Sequence, residues 1–306
     1  MIIGHQKQWK MLKKITEAGE FSHAFLFSGQ DKIGKKKVAL EWLSLVFGED
    51  LRKGHPDLIL IEPEGEESKL SSSPFIKNRG KKEIKIGQIR DLIRKLSLKP
   101  YSSPIKAALI DESHLMNQEA QTSLLKTLEE PRGRTLLILV SDSPEYLLPT
   151  ITSRVQTVKF YPVRKEEIRD FVQKEKVPQE EIEEIVEVSS GKPGKVIDML
   201  ADSKKLSEFN RKIKEISKIS DSSLATRFQY AKDLSEDPKE IKETLDVWLS
   251  YFRKILLLKI KDKEKSDKYS LVSLKNIINF IQETWLVISK TNVSARLALE
   301  RLMLEL

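Results

Sequence analysis

The sequence contains no cysteine among its 306 residues. That excludes disulfides, a cysteine nucleophile, iron–sulfur clusters and any thiolate zinc site. Histidine is scarce, with four residues. Glycine and proline, twelve of each, fall below their usual share of a protein. Long apolar runs are missing as well. The strongest, Leu136 to Val140, is far short of the ~20 residues needed to cross a bilayer. The first residues, Met1 to Gln6, have no basic start followed by an apolar run, so they do not read as a signal peptide. These absences lead us to expect a cytoplasmic protein with no membrane contact.

What is abundant is charge. Charged residues make up 33% of the chain and hydrophobic ones 39%, a balance that suits a helix-rich fold. The net charge is +8, with +6 in residues 1–160, −3 in 161–200 and +5 in 201–306. A basic balance permits nucleic-acid binding. The Lys residues are scattered, however, and solvated helix faces account for most of them. At ~100–200 residues per domain, the length implies two or three domains.

The first half alternates strand and helix signals. Residues 5–19 have apolar positions at helical spacing. Ala24–Phe27 reads as a buried strand, Lys36–Phe47 as a helix and Leu58–Ile61 as a second strand. The polar stretch 62–82 reads as an exposed loop. Ile86–Leu98 is predicted helical, Lys106–Ile110 a strand, Asn117–Glu129 a helix, and Thr135–Val140 and Val155–Phe160 further strands. Strands separated by helices imply a parallel sheet. Beyond Phe160 the strand signals fade. Lys165–Lys174, Glu180–Val188 and Lys195–Leu200 read as short helices, Lys259–Ser270 as a loop, and the rest from 203 onward as helical. The expected division is an α/β core at 1–160, a small helical lid at 161–203 and an all-α domain at 204–306.

Two segments carry chemistry. Gly29-Gln30-Asp31-Lys32-Ile33-Gly34-Lys35 fits the phosphate-loop pattern and lies between a strand and a helix. Glycines there turn backbone N–H groups toward phosphate, and the helix N-terminus adds its dipole. The next residue is usually Ser or Thr, whose hydroxyl ligates Mg²⁺. Here it is Lys36, whose ammonium cannot. Asp111-Glu112 ends the third strand, where one acid would help hold a metal and the other would polarise an attacking water. The two observations pull apart: Glu112 suits hydrolysis, and Lys36 argues against it. Nucleotide binding stays open. A third segment, Ser153-Arg154, follows the fourth strand; by itself it reads as a helix cap and a surface Arg. His55 and His114, without cysteine, make a poor zinc set.

Taken together these segments resemble the clamp-loader branch of the AAA+ ATPases. The matching residues include Gly4-His5, His23 to Phe27, Gly34-Lys35, Gly54-His55-Pro56-Asp57, Gln88-Ile89-Arg90 and Ile110 to Asn117. Leu124-Leu125-Lys126-Thr127-Leu128-Glu129-Glu130-Pro131 and Leu148 to Arg154 are the most specific runs. The resemblance implies a RecA-like α/β core, a helical lid and a collar through which subunits oligomerise. It also implies that Arg154 acts in trans, as an arginine finger on a nucleotide held by the adjacent subunit, with Glu112 vestigial. The nucleotide-contact candidates are then Gly29, Gly34, Lys35, Lys36, Asp111 and Ser141. The implied partners are gamma/tau and delta subunits, and the sliding clamp and primer–template DNA through the assembled complex.

Relatives that carry a four-cysteine zinc module differ from this chain, which has none. Hydrolysing relatives sense nucleotide through a lid Arg; Gly194 stands at that position, with Lys195 beside it. Loss of the metal-ligating hydroxyl at residue 36 and of the lid Arg together favour a non-hydrolysing subunit. An active gamma/tau-type ATPase and a direct DNA binder are the competing classes.

Overall fold

A computed structural model describes residues 2–19, 22–51, 54–64, 83–131, 133–175, 177–261, 269–291 and 293–306. They divide into two units: residues 1–177 with 191–195, and residues 178–190 with 196–306.

The first unit is built on five parallel strands: β1 (Ala24–Ser28), β2 (Leu58–Ile61), β3 (Lys106–Ile110), β4 (Thr135–Ser141) and β5 (Gln156–Lys159). Their order in the sheet is β2-β3-β4-β1-β5, and every named pair is parallel. Parallel pairing demands helical crossovers, so both faces are covered and central strands read as continuous apolar runs. Alternation then sorts each strand between two cores. Phe25, Phe27, Ala107, Leu109, Leu136 and Ile138 pack with α1 (Gln6–Ala18) and α2 (Lys35–Phe47). Ala24, Leu26, Ala108, Ile110, Leu137 and Leu139 pack with α3 (Ile86–Leu96) and α4 (Gln118–Glu129). Trp42 of α2 is fully buried, edge-on to Phe25, and its indole N–H donates to Thr16 Oγ1. After β4 come a short α5 (Pro149–Thr152), β5 and then α6 (Lys165–Lys174).

The second unit is helical: α7 (Gln179–Ser189), most of α8 (Pro193–Ala201), α9 (Ser203–Ile219), α10 (Leu224–Leu234), α11 (Pro238–Lys261), α12 (Leu271–Lys290) and α13 (Ala295–Leu304). Its core centres on Trp248, Phe252, Leu274, Ile281 and Leu299. Ser223 and Ser270 cap α10 and α12 by accepting backbone N–H groups, the usual role of Ser at a helix start. Arg227 ties the unit together, donating to the carbonyls of Ser220, Ser222 and Met303.

Boundaries moved where capping chemistry intervenes. Residues 5 and 19 flank α1 rather than join it, and both are left-handed. Helix α3 stops at Leu96, two residues before the expected Leu98; Ser97 is its C-cap, and the Leu98 N–H turns to the Lys95 carbonyl. Asn117 is the cap of α4, its side chain accepting the Ala120 N–H. Lys259–Lys261, expected in a loop, continue α11; residues 262–268 lie outside the described residues. The last helix begins at Ala295, with Ser294 as its cap. Of the expected polar loop 62–82, residues 65–82 lie outside the described residues; Glu64 and Glu83 form an antiparallel bridge. No helix among the described residues is long and apolar enough to cross a membrane.

Candidate functional site

The carboxyl ends of β1, β3 and β4 adjoin, as their pairing dictates. This is where ligands bind in open α/β sheets. The loop after β1 is fastened to β4 by the Gly29 N–H, which donates to Ser141 O at 3.2 Å. Gly34 enters α2 with φ +101°, a conformation an L side chain rarely adopts. The Lys35 side chain does not reach outward. Its ammonium donates to Gly29 O and Gln30 O, each at 2.6 Å, and the residue is buried. Burial pushes its pKa down, opposed by the charges of Asp142, Asp31 and Asp111.

Lys36 completes the local arrangement. Its ammonium lies 3.0 Å from Asp111 Oδ2 and also bonds Glu62 Oε1. Burial works against its charge, yet the bonds and charges of Glu62 and Asp111 raise its pKa above the usual lysine value. The other Asp111 oxygen accepts the Glu112 N–H at 3.0 Å. Glu112 itself is exposed and left-handed, with φ 45°. Ser141 is fully buried, and its Oγ accepts the Ser143 N–H. The structure thus brings Gly29, Lys35, Lys36, Asp111 and Ser141 to one end of the sheet.

The segment Gly191–Lys195 closes over this loop. The Gly194 N–H donates to Lys32 O at 2.7 Å. A Cβ at Gly194 would lie 2.7 Å from that same oxygen, so the approach requires glycine. His5 adds a second tie, its Nε2 meeting Ile33 O at 2.8 Å. Both contacts bind the loop's backbone to the rest of the unit.

These residues do not fit a divalent cation at Asp111. The carboxylate that would approach the metal is already paired with an ammonium, the hydroxyl ligand is absent, and the loop lysine is engaged by its own loop. No cluster of His, Asp or Glu able to hold a metal occurs among the described residues.

Arg154 lies elsewhere, at the end of α5. Its guanidinium donates to Thr150 O at 3.0 Å and pairs with Glu129 Oε1 at 2.7 Å, with the side chain 36% exposed. Glu129 comes from the last turn of α4. The loop that leads to α5 is set by Gln121, a buried side chain in α4. Gln121 donates to the carbonyls of Met116 and Tyr146 and accepts the Leu148 N–H. Sequence reasoning gave no role to Glu62, Gln121 or Glu129. Gln121 has a readable signal, a polar residue on the apolar stripe of α4 with Leu124 and Leu128. Glu62 has only its position directly after β2.

A groove between α3 and α4, about 560 Å³ in volume, is lined by Arg90, Arg94 and Lys126 with Thr127 and Glu130. It gathers cations that looked scattered along the chain.

Residues 4–164 match the sequence model of the family described as DNA polymerase III, delta subunit. The chain belongs to that family. It is similar to DNA polymerase III subunit delta' of Bacillus subtilis, 34% identical over 176 residues, covering 53% of this chain and 49% of that protein. The corresponding subunit of Pseudomonas aeruginosa is 32% identical over 163 residues, covering 48% and 45%. The chain thus aligns with about half the length of these curated relatives. A solved gamma subunit-related protein of DNA polymerase III from Thermotoga maritima superposes with a TM-score of 0.52 at 21% identity, covering 97% of both chains. That likeness speaks to the fold alone, a parallel α/β core followed by helices.

Proposed function

We propose that the chain acts as a delta-prime subunit of a bacterial DNA polymerase III clamp loader, a ring of AAA+ subunits that places the sliding clamp on primed DNA. In this reading it is a stator. It lends Arg154 to ATP held by the neighbouring gamma/tau subunit and hydrolyses little or none itself. It joins gamma/tau and delta subunits through its C-terminal helices, and meets clamp and primer–template DNA within the assembled complex.

The observation that carries the reading is the contrast between the two charged sites. The loop that would hold a nucleotide is satisfied by its own side chains, whereas the Arg154 guanidinium is fixed at an exposed helix end by Glu129 and Thr150. A preplaced cation needs little reorganisation to stabilise charge developing on a transferred phosphoryl group. The groove with Arg90, Arg94 and Lys126 suits phosphate contacts of DNA held by the complex. The active-ATPase reading is the weaker one, because it needs a metal site where Lys36 stands.

Co-purification with gamma/tau and delta subunits tests the assembly, and DNA-stimulated ATPase of the reconstituted complex tests the arginine. With Arg154→Ala the complex is expected to form and its ATPase to fall. Unchanged ATPase would remove the trans role. Brisk turnover by the isolated chain would remove the stator reading.

A further inference from the structure

We infer that Lys36 is a tethered cation that takes the place of a divalent metal, and that this one side chain makes the loop indifferent to Mg²⁺. The carboxylates at this end of the sheet already have a cation. Asp111 spends both oxygens, one on the Glu112 N–H and one on the Lys36 ammonium. Glu62, from the end of the adjacent strand, bonds the same ammonium. Two carboxylates therefore converge on one cation, and that cation is carried by α2 of the same chain. A metal arriving at Asp111 would have to displace the ammonium and then sit beside it, with like charges repelling.

Position explains why a lysine can do this. Residue 36 is the second residue of α2, directly after the phosphate-loop lysine. A Ser or Thr there would hold its hydroxyl near the helix and leave room for an ion between hydroxyl and carboxylate. The lysine stem spans that room, so the positive charge reaches Asp111 without an ion. The rest of the loop agrees with a self-contained state: Lys35 is held by Gly29 O and Gln30 O, and Lys32 O by the Gly194 N–H.

An ordinary partly exposed ion pair is the competing explanation, and it makes a different prediction. Removing such a pair would change stability slightly and ligand binding not at all. If Lys36 stands in for the metal, exchanging it for a hydroxyl creates a dependence on Mg²⁺ that the native chain lacks. Three full-length proteins decide the matter: the native chain, Lys36→Thr and Lys36→Met. Each is titrated calorimetrically with ADP, once in Mg²⁺ and once in EDTA, with circular dichroism reporting the fold.

The native chain is expected to give the same result in both solutions. Lys36→Thr is expected to bind ADP at least about ten-fold more tightly in Mg²⁺ than in EDTA, ~1.4 kcal/mol. Lys36→Met, with neither ammonium nor hydroxyl, is expected to show no such gain. A folded Lys36→Thr with no Mg²⁺ effect overturns the inference. Should Lys36→Thr not fold, the native chain with Asp111→Asn still decides. A ten-fold Mg²⁺ effect in the native chain, lost in Asp111→Asn, overturns the inference, and equal affinity in Mg²⁺ and EDTA supports it. No other subunit is present in these titrations, so the outcome is independent of the trans role of Arg154.

Discussion

Lys36 and Arg154 make the same kind of contact in different surroundings. Each cation lies within 3.0 Å of a carboxylate oxygen. Lys36 faces two carboxylates and is compact, so its charge is consumed inside the loop. Arg154 faces one carboxylate, and a guanidinium has five N–H donors in a rigid fork. Glu129, Thr150 O and Ser153 Oγ take three of them, which leaves donors for a phosphate on another chain. The lesson is that an ion pair does not by itself mark a charge as structural. What decides is how much hydrogen-bonding capacity is left once the pair has formed.

The largest effect should come from Arg154→Ala in the reconstituted complex. A trans arginine can supply ~10³–10⁵ in rate, so even a share of that at one interface would lower DNA-stimulated ATPase severalfold. Circular dichroism should report an unchanged fold. Equal ATPase would break the comparison at its functional end.

Next in size are two positions where the fold itself carries the charge or the contact. Asp57 is buried, and its carboxylate accepts the N–H groups of Tyr101, Ser102 and Ser103 and the Ser103 hydroxyl. Burial opposes its ionisation, but these bonds outweigh it and hold its pKa at about 2, below the ordinary 3.8. The folded-state value is the lower one, so the stabilisation is complete above pH 3.8 and is lost as pH falls toward 2. Asp57→Asn should cost about 2 kcal/mol in urea titration at neutral pH and flatten that acid dependence. Gly194→Ala should cost ~1–3 kcal/mol, because its Cβ would press on Lys32 O and the backbone must shift.

A smaller effect is expected for Lys36→Met. The lysine side chain is 36% exposed, so solvent screens the pair and the loss should be about 1 kcal/mol or less by urea titration. A loss of several kcal/mol would make Lys36 chiefly a structural residue. The smallest stability effect belongs to Glu129→Gln, within ~0.5 kcal/mol. It sharpens the comparison through its second readout. If Glu129 positions Arg154, ATPase of the complex should fall while melting stays unchanged. If ATPase is also unchanged, Thr150 O suffices to hold the guanidinium.

Much of the core was legible because parallel strands announce themselves. Ala24–Phe27, Leu58–Ile61 and Lys106–Ile110 are apolar runs bounded by polar loops, and the phosphate-loop spacing is local in sequence. Pairings across the chain were not legible. Lys36 meets Glu62 across 26 residues, and no periodicity links them. Only the adjacency of β2 and β3 brings Glu62 beside Asp111. Arg154 likewise reads as a surface residue until α4 places Glu129 beside it. Helix ends were displaced by a residue or two, as at Asn117, which caps α4 through its side chain instead of joining it.

The Glu64–Glu83 bridge has a practical consequence. Both residues exchange backbone hydrogen bonds, Glu64 N–H to Glu83 O and Glu83 N–H to Glu64 O. The two ends of the intervening stretch are thereby pinned side by side, and lengthening a connection whose ends already meet adds little closure entropy. An epitope or a fluorophore grafted between them should leave β2 and α3 in register, giving a handle on the molecule far in sequence from Arg154.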